Sequence, residues 1–340
     1  MREGLRTIPT LRRRRLKRMR LPRLTRKGRR RQALAHAKKH STPHDRFYSE
    51  SRKAGRIRYY LDGPEDADVH PFVFIHGFTL AASAWHLQVA HVAHEARCLL
   101  MDLRGHGNTG EYSVEDCTLE GAADDVARVL EAAKPKGPLV IVGHSLGGMV
   151  AINFLRRYPE FRARTAGLVL VATAVDSFAS QGVPQVLALP VAEKIRNAAE
   201  ASPAETATLR EAIAALVAPT LAVTVFQTPM PPSVIDFHAQ LINETPLSTY
   251  VGFLDSLQEH EEAEGATLLS GIEGVVIVGE KDSVTPLSQA QRIVSLWPNA
   301  GLQVAPHAGH MIILEQPAIV NKAIDQMIEH AHSVGKTHTA

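Results

Sequence analysis

Cysteine is scarce in this chain, with Cys98 and Cys117 the only two among 340 residues. Two thiols cannot carry a disulfide-built scaffold, so the fold has to rest on an apolar core; Cys98 lies in an apolar run that reads as a core strand, which suits a buried free thiol. Acid is nearly missing from residues 1–40, where 17 Lys or Arg face the single Glu3. The formal charge of +3 therefore divides into +16 on this arm and −13 on the remainder. Aromatic residues are absent from the arm, which leaves nothing to stack on bases and weighs against a nucleic-acid partner. Between Arg12 and Arg31 no more than two residues pass without Lys or Arg, so the arm has no apolar segment of the kind a secretory signal needs. Serine is absent before Ser41, unlike an organelle transit peptide. These absences describe a cytoplasmic chain whose residues 1–45 are a disordered basic arm. Its electrostatic options are weak contact with an anionic surface or with nucleic acid through residues 1–40, the alternative function being a non-catalytic protein that docks through this arm, and Met19 is a second candidate start of translation.

Residues 138–155 carry no Asp, Glu, Lys or Arg and fall just short of a membrane span. Gly143, Gly147 and Gly148, with His144, Ser145 and Asn153, point instead to a buried strand running into a buried helix. The rest is ordinary globular material, 45% apolar and 21% charged, enough for one sizeable core and an accessory element. Apolar runs predict strands at 56–61, 72–76, 98–103, 139–143, 167–172, 274–278 and 302–305. Helical patterns fall at 84–93, 118–133, 146–157, 288–296 and 317–330, with Leu119, Ala122, Val126 and Leu130 on one face of the second. Such alternation predicts a mostly parallel sheet with helices on both faces. It breaks over residues 174–265, where helix-like segments at 191–199, 204–216, 233–241 and 247–257 occur without a strand. The expected layout is a core of residues 46–173 and 266–335 with a helical insertion at 174–265.

Gly143-His144-Ser145-Leu146-Gly147 sits between a predicted strand and a predicted helix, the context of a nucleophile elbow. A serine at the tip of so sharp a turn is strained, and residues two positions away must be small to let the chain pass. The Leu146 N–H then lies at a helix start, where unsatisfied amides favour a developing oxyanion. A second donor belongs after an earlier strand, and the Phe78 N–H of His76-Gly77-Phe78 is placed for it. Serine also needs a base and an orienting carboxylate. His310, preceded by Gly309, follows a short strand and can turn inward; His307 is its rival and reads as solvent-facing or as capping the loop. Asp282 follows the strand at 274–278 and is the expected acid, with Glu280 and Asp176 as rivals.

With these residues in place the sequence resembles the α/β-hydrolase superfamily, among its esterase, lipase and carbon–carbon-bond hydrolase members with a helical cap. The resemblance covers roughly residues 56–332 and rests on His76-Gly77-Phe78, Asp102-Leu103-Arg104-Gly105-His106-Gly107, the elbow, Gly279 to Asp282, Gly309-His310-Met311 and Glu315-Gln316-Pro317. It implies a Ser145–His310–Asp282 triad acting on a small-molecule carboxylic ester or lipid-like substrate, with residues 174–265 as the cap. It also implies that Arg104 and His106 hold loops together, that Asp124 and Asp125 belong to a helix surface or a loop contact, and that serine at the elbow excludes the aspartate-dependent dehalogenases and epoxide hydrolases. No glycine-rich dinucleotide pattern and no zinc spacing is present, so no cofactor and no metal is expected.

Overall fold

The computed structural model of the chain describes residues 51–65, 70–177 and 225–337, with side chains as far as residue 330. Continuous apolar runs become strands buried along their whole length: β3 (Phe72–Ile75), β4 (Cys98–Asp102) and β5 (Leu139–His144). Together with β1 (Arg52–Ala54), β2 (Ile57–Asp62), β6 (Thr165–Val171), β7 (Glu273–Gly279) and β8 (Ala300–Ala305) they form one sheet in the order β1-β2-β4-β3-β5-β6-β7-β8. Strands β3 to β8 pair parallel, while β1 with β2 and β2 with β4 pair antiparallel.

Strand alternation sends successive side chains to opposite layers. Val73, Ile75, Ile141, Leu168 and Val276 join one buried cluster with α2 (Leu119–Ala133), α3 (Leu146–Arg157) and α8 (Leu287–Leu296). Phe72, Phe74, Val140, Val169 and Ile277 join another with α1 (His86–Val92) and α10 (Pro317–Thr337). Each fully buried aliphatic or aromatic side chain contributes about 1.5–3 kcal/mol, so continuous apolar strands are stable here only because helices cover both faces. The expected face of α2, Leu119, Ala122, Val126 and Leu130, is buried. Thr118 caps that helix by accepting from the Gly121 N–H at 3.1 Å. Cys98 and Cys117 are both buried and free, and burial pushes both thiols up, Cys117 to about 11.

Two departures have local causes. Strand β1 lies in a polar stretch with no periodicity, since two of its three residues are exposed at the sheet edge. The helix expected at 84–93 divides at Trp85, with Ala82–Trp85 a 3-10 turn ahead of α1. Short helices α4 (Pro159–Ala163), α7 (Ala263–Thr267) and α9 (Ile312–Glu315) complete the core. Within 225–265 the segments expected at 233–241 and 247–257 are α5 (Pro232–Glu244) and α6 (Leu247–Glu259), and no strand occurs there among the described residues. The segments expected at 191–199 and 204–216, like the basic arm, lie outside the described residues. No described helix is long and apolar enough to cross a membrane.

Candidate active site

Strand β3 lies between β4 and β5, so chain order reverses beside it and the loops after β3 and β5 emerge side by side. Ile75 pairs with Gly143, which puts residues 76–78 against the turn at 144–146. That turn is strained: Ser145 has φ 51° and ψ −120°, a cost of order 1–3 kcal/mol that neighbouring bonds must offset. The Ser145 N–H donates to Val171 O at 2.9 Å, and the Thr173 hydroxyl donates to Ser145 O at 2.8 Å. Small neighbours are obligatory here: a Cβ on Gly147 would lie 2.1 Å from Ile75 O, and one on Gly143 would lie 2.6 Å from Gly147 O.

Three side chains remote in sequence meet at this turn. The Ser145 hydroxyl lies 2.9 Å from His310 Nε2, and His310 Nδ1 lies 2.9 Å from Asp282 Oδ2. An ionised Asp282 can only accept, so Nδ1 carries the proton and Nε2 is left to accept from Ser145. Asp282 Oδ1 also accepts from the Val284 and Thr285 N–H groups at 2.8 and 3.0 Å, and Oδ2 accepts from the Thr285 hydroxyl at 2.9 Å. Burial pushes the Asp282 carboxyl up, but His310 and these donors outweigh it and hold the group below its ordinary value. All three members are buried, between 5 and 8% exposed, so the relay is shielded from bulk water.

The rivals go elsewhere. His307 is exposed; its N–H donates to Glu280 Oε2 at 2.8 Å and its ring lies 3.4 Å from the same carboxylate, so Glu280 is engaged by His307 and not by His310. Asp176 accepts from Gln289 Nε2 at 3.3 Å and lies 3.7 Å from Arg292. Arg104 binds Asp125 at 2.7 Å and the Asp116 carbonyl at 2.6 Å. Asp125 is wholly buried in that loop contact, whereas Asp124, on the same helix, accepts from the Tyr158 hydroxyl at 2.7 Å. His106 Nδ1 donates to Arg104 O at 2.9 Å and its Nε2 accepts from the Thr79 N–H at 3.1 Å. Both Arg104 and His106 thus hold loops together.

Leu146 opens α3, and a first-turn N–H has no intrahelical acceptor. Gly77 is pressed against the elbow, where a Cβ would lie 3.2 Å from Ser145 Cβ. The Phe78 ring packs on Tyr250 and Phe253 of α6, with centroids 5.3 and 6.3 Å apart. Three buried imidazoles surround the site. Burial first, then His310, pushes His144 down to about 3; burial lowers His106 to about 4; and burial followed by His106 takes His76 well below its ordinary value. All three are neutral at physiological pH and add no positive charge beside the base. No group of three or more His, Cys, Asp or Glu among the described residues could hold a metal ion.

Three contributors escape sequence reasoning. Thr285 had a readable signal, since a carboxylate that accepts from amides two and three residues ahead is an ordinary Asx-type turn. His144, whose Nε2 donates to His310 O at 3.0 Å, had none, because its partner is 166 residues away. Glu315 belongs to a quoted motif, yet its partners lie partly in residues 225–228, and nothing in the sequence pairs the two.

A family model described as the alpha/beta hydrolase family matches residues 72–323. Among curated proteins, the dihydrolipoyllysine-residue acetyltransferase component of the acetoin cleaving system of Pseudomonas putida is 27% identical over 270 residues, covering 78% of this chain and 65% of that protein. The pimeloyl-[acyl-carrier protein] methyl ester esterase of Sodalis glossinidius is 38% identical over 112 residues, covering 33% of this chain and 38% of the relative. The chain thus spans less than two thirds of either. Among solved structures, a thermophilic esterase from Thermogutta terrifontis superposes with a TM-score of 0.65 at 25% identity, covering 81% of this chain and 94% of the other.

Proposed function

Because the chain belongs to the alpha/beta hydrolase family, we propose that it is a serine hydrolase that cleaves a carboxylic ester through an acyl-enzyme. The observation that carries this reading is the unbroken relay from the Ser145 hydroxyl through His310 to Asp282, with both contacts at 2.9 Å. His310 takes the Ser145 proton as Oγ attacks the ester carbonyl. The N–H groups of Phe78 and Leu146 receive the developing oxyanion, and Asp282 holds His310 in the tautomer that keeps Nε2 open. His310 then returns the proton to the departing alcohol, and water, deprotonated by the same imidazole, releases the acid. No cofactor takes part.

The insertion expected as a cap brings α6 beside the site, where Tyr250 and Phe253 pack on the Phe78 ring, an aromatic surface suited to a small-molecule or lipid-like ester. Methyl esters are the first substrates to try, since the names of the Sodalis glossinidius relative and of the bovine protein phosphatase methylesterase 1, 33% identical over 101 residues, both specify that chemistry. Acyl transfer is a second reading, favoured by the name of the Pseudomonas putida relative; it keeps the acyl-enzyme and replaces water with another nucleophile. The protein acts in the cytoplasm under either reading. A fluorophosphonate probe is expected to label Ser145, and an ester panel is expected to show turnover that Ser145→Ala lowers by at least about 10³-fold. A folded chain that neither labels nor turns over any ester overturns the proposal.

A further inference from the structure

The main chain that carries His310 is held on three sides. His144 Nε2–H donates to His310 O at 3.0 Å, the His310 N–H donates to Val225 O at 2.9 Å, and the Gly309 N–H donates to Glu315 Oε1 at 2.9 Å. The other oxygen of Glu315 accepts from the Gln227 N–H at 2.8 Å, the Thr228 N–H at 2.9 Å and the Thr228 hydroxyl at 3.0 Å. One carboxylate thus joins the segment at 225–228, which leads into α5, to the loop that presents the base. The two backbones touch: a Cβ on Gly309 would lie 2.6 Å from Val225 O and 3.1 Å from Gln227 N. Nothing but glycine fits there, and the close approach needs a clamp because no side chain can fill it.

We propose that Glu315 is a positioning residue for His310: it fixes the His310 main chain against residues 225–228 and so aims Nε2 at Ser145. The proposal rests on the hydrolase reading for its kinetic consequence, though not for its structural one. Glu315 touches no reacting atom. Its contribution passes through the Gly309–His310 peptide, where a displacement of an ångström at the base is enough to cost about 10²-fold in rate. A carboxylate is suited to the task because each of its oxygens accepts, whereas an amide accepts at one end only. In Glu315→Gln the amide oxygen turns to the three donors at Gln227 and Thr228, which sets its NH2 against the Gly309 N–H. That variant therefore cuts the His310 side selectively, and Glu315→Ala cuts both sides.

The test measures the acylation rate per active site, with the number of sites titrated from the burst of an activated ester, alongside KM and backbone hydrogen exchange in the full-length chain. Glu315→Gln is expected to lower the per-site acylation rate about tenfold and Glu315→Ala about a hundredfold, with KM within about twofold of the unsubstituted chain. Exchange at Gly309 should quicken in both variants, and exchange at Gln227 and Thr228 in Glu315→Ala alone. A merely structural role would shrink the burst amplitude and leave the rate per titrated site untouched; that outcome, or unchanged exchange at Gly309 in both variants, overturns the proposal. If the unsubstituted chain neither labels with a fluorophosphonate nor turns over any ester, the hydrolase reading fails separately, and exchange at Gly309 still decides whether Glu315 fixes the loop.

Discussion

At the scale of single residues, the site depends on atoms that have no room to move. The Asp282 carboxylate accepts four hydrogen bonds and sits below its ordinary pKa, so its neutral isostere keeps the shape and loses the charge. Asp282→Asn is expected to reduce ester turnover about 10⁴-fold, because the amide favours the wrong His310 tautomer, and to lower the urea midpoint, because the depressed pKa of Asp282 marks a folded state that favours the charge. Gly147 depends on shape instead. Its missing side chain makes room for Ile75 O and His76 O, 2.1 and 2.6 Å from where a Cβ would stand. Gly147→Ala should therefore destabilise the fold by about 1–3 kcal/mol, as other overpacked sites do, and the check is a lower midpoint in urea together with lost fluorophosphonate labelling. Both residues were legible in the sequence, Gly147 from the steric demand of the elbow and Asp282 from its place after a strand. Thr285, His144 and Glu315 were not singled out. A hydrogen bond between a side chain and a distant main-chain atom leaves no periodic trace, which is why the last two in particular stay hidden until the chain is folded.

At the scale of elements, legibility follows burial. Strands β3 to β7 are buried at nearly every residue, and their apolar runs locate them to within two residues. Strand β1, exposed at an edge and only three residues long, carries no such pattern. Among the described residues of the insertion, α5 and α6 were readable from helical apolar spacing; Pro232 opens α5, in keeping with the preference for proline in a first turn, while Pro246 stands at the N-cap of α6. The split of the 84–93 helix into a 3-10 turn and α1 was not readable, since buried Ala82, Ser83, Ala84 and Trp85 have the same composition in either geometry. At the start of α2 two hydroxyls accept from free N–H groups, Thr118 from Gly121 and Ser256 from Leu119. Thr118→Ala removes the acceptor for the Gly121 N–H and should cost about 1 kcal/mol of stability, read as a lower urea midpoint; a midpoint equal to that of the unsubstituted chain would show that the tertiary packing of α2 carries its amino-terminal end unaided.

At the scale of the whole molecule, buried histidines make the fold sensitive to acid, His86 and His260 included, since burial lowers both. His76, His106 and His144 are neutral when folded, with pKa values well below 6.5, about 4 and about 3, because burial disfavours the charged ring. Once unfolded, each binds a proton near 6.5. The unfolded chain therefore holds more protons below that pH, and stability must fall as pH drops from 6.5 towards 3, with Asp282 adding its own loss below 3.8. Urea midpoints at pH 7.5 and 5.0 test this, and a midpoint as high at 5.0 would contradict it. The basic arm raises a separate question. Deleting residues 1–40, which carry 17 Lys or Arg, is expected to leave ester turnover unchanged and to abolish salt-sensitive retention on anionic vesicles; retention that survives the deletion would assign the contact to the acidic remainder.

Ser145 and His310, whose side chains meet, stand 165 positions apart along the chain, and on the function proposed above that spacing decides when the chain gains its chemistry. A growing or clipped polypeptide that stops short of residue 310 owns a serine and a ready-made turn but has nothing to draw off the proton. On the proposed function such a fragment turns esters over at least about 10³-fold more slowly. On that reading reactivity waits for residue 310, and reports that the span from the elbow to the imidazole has been made and folded.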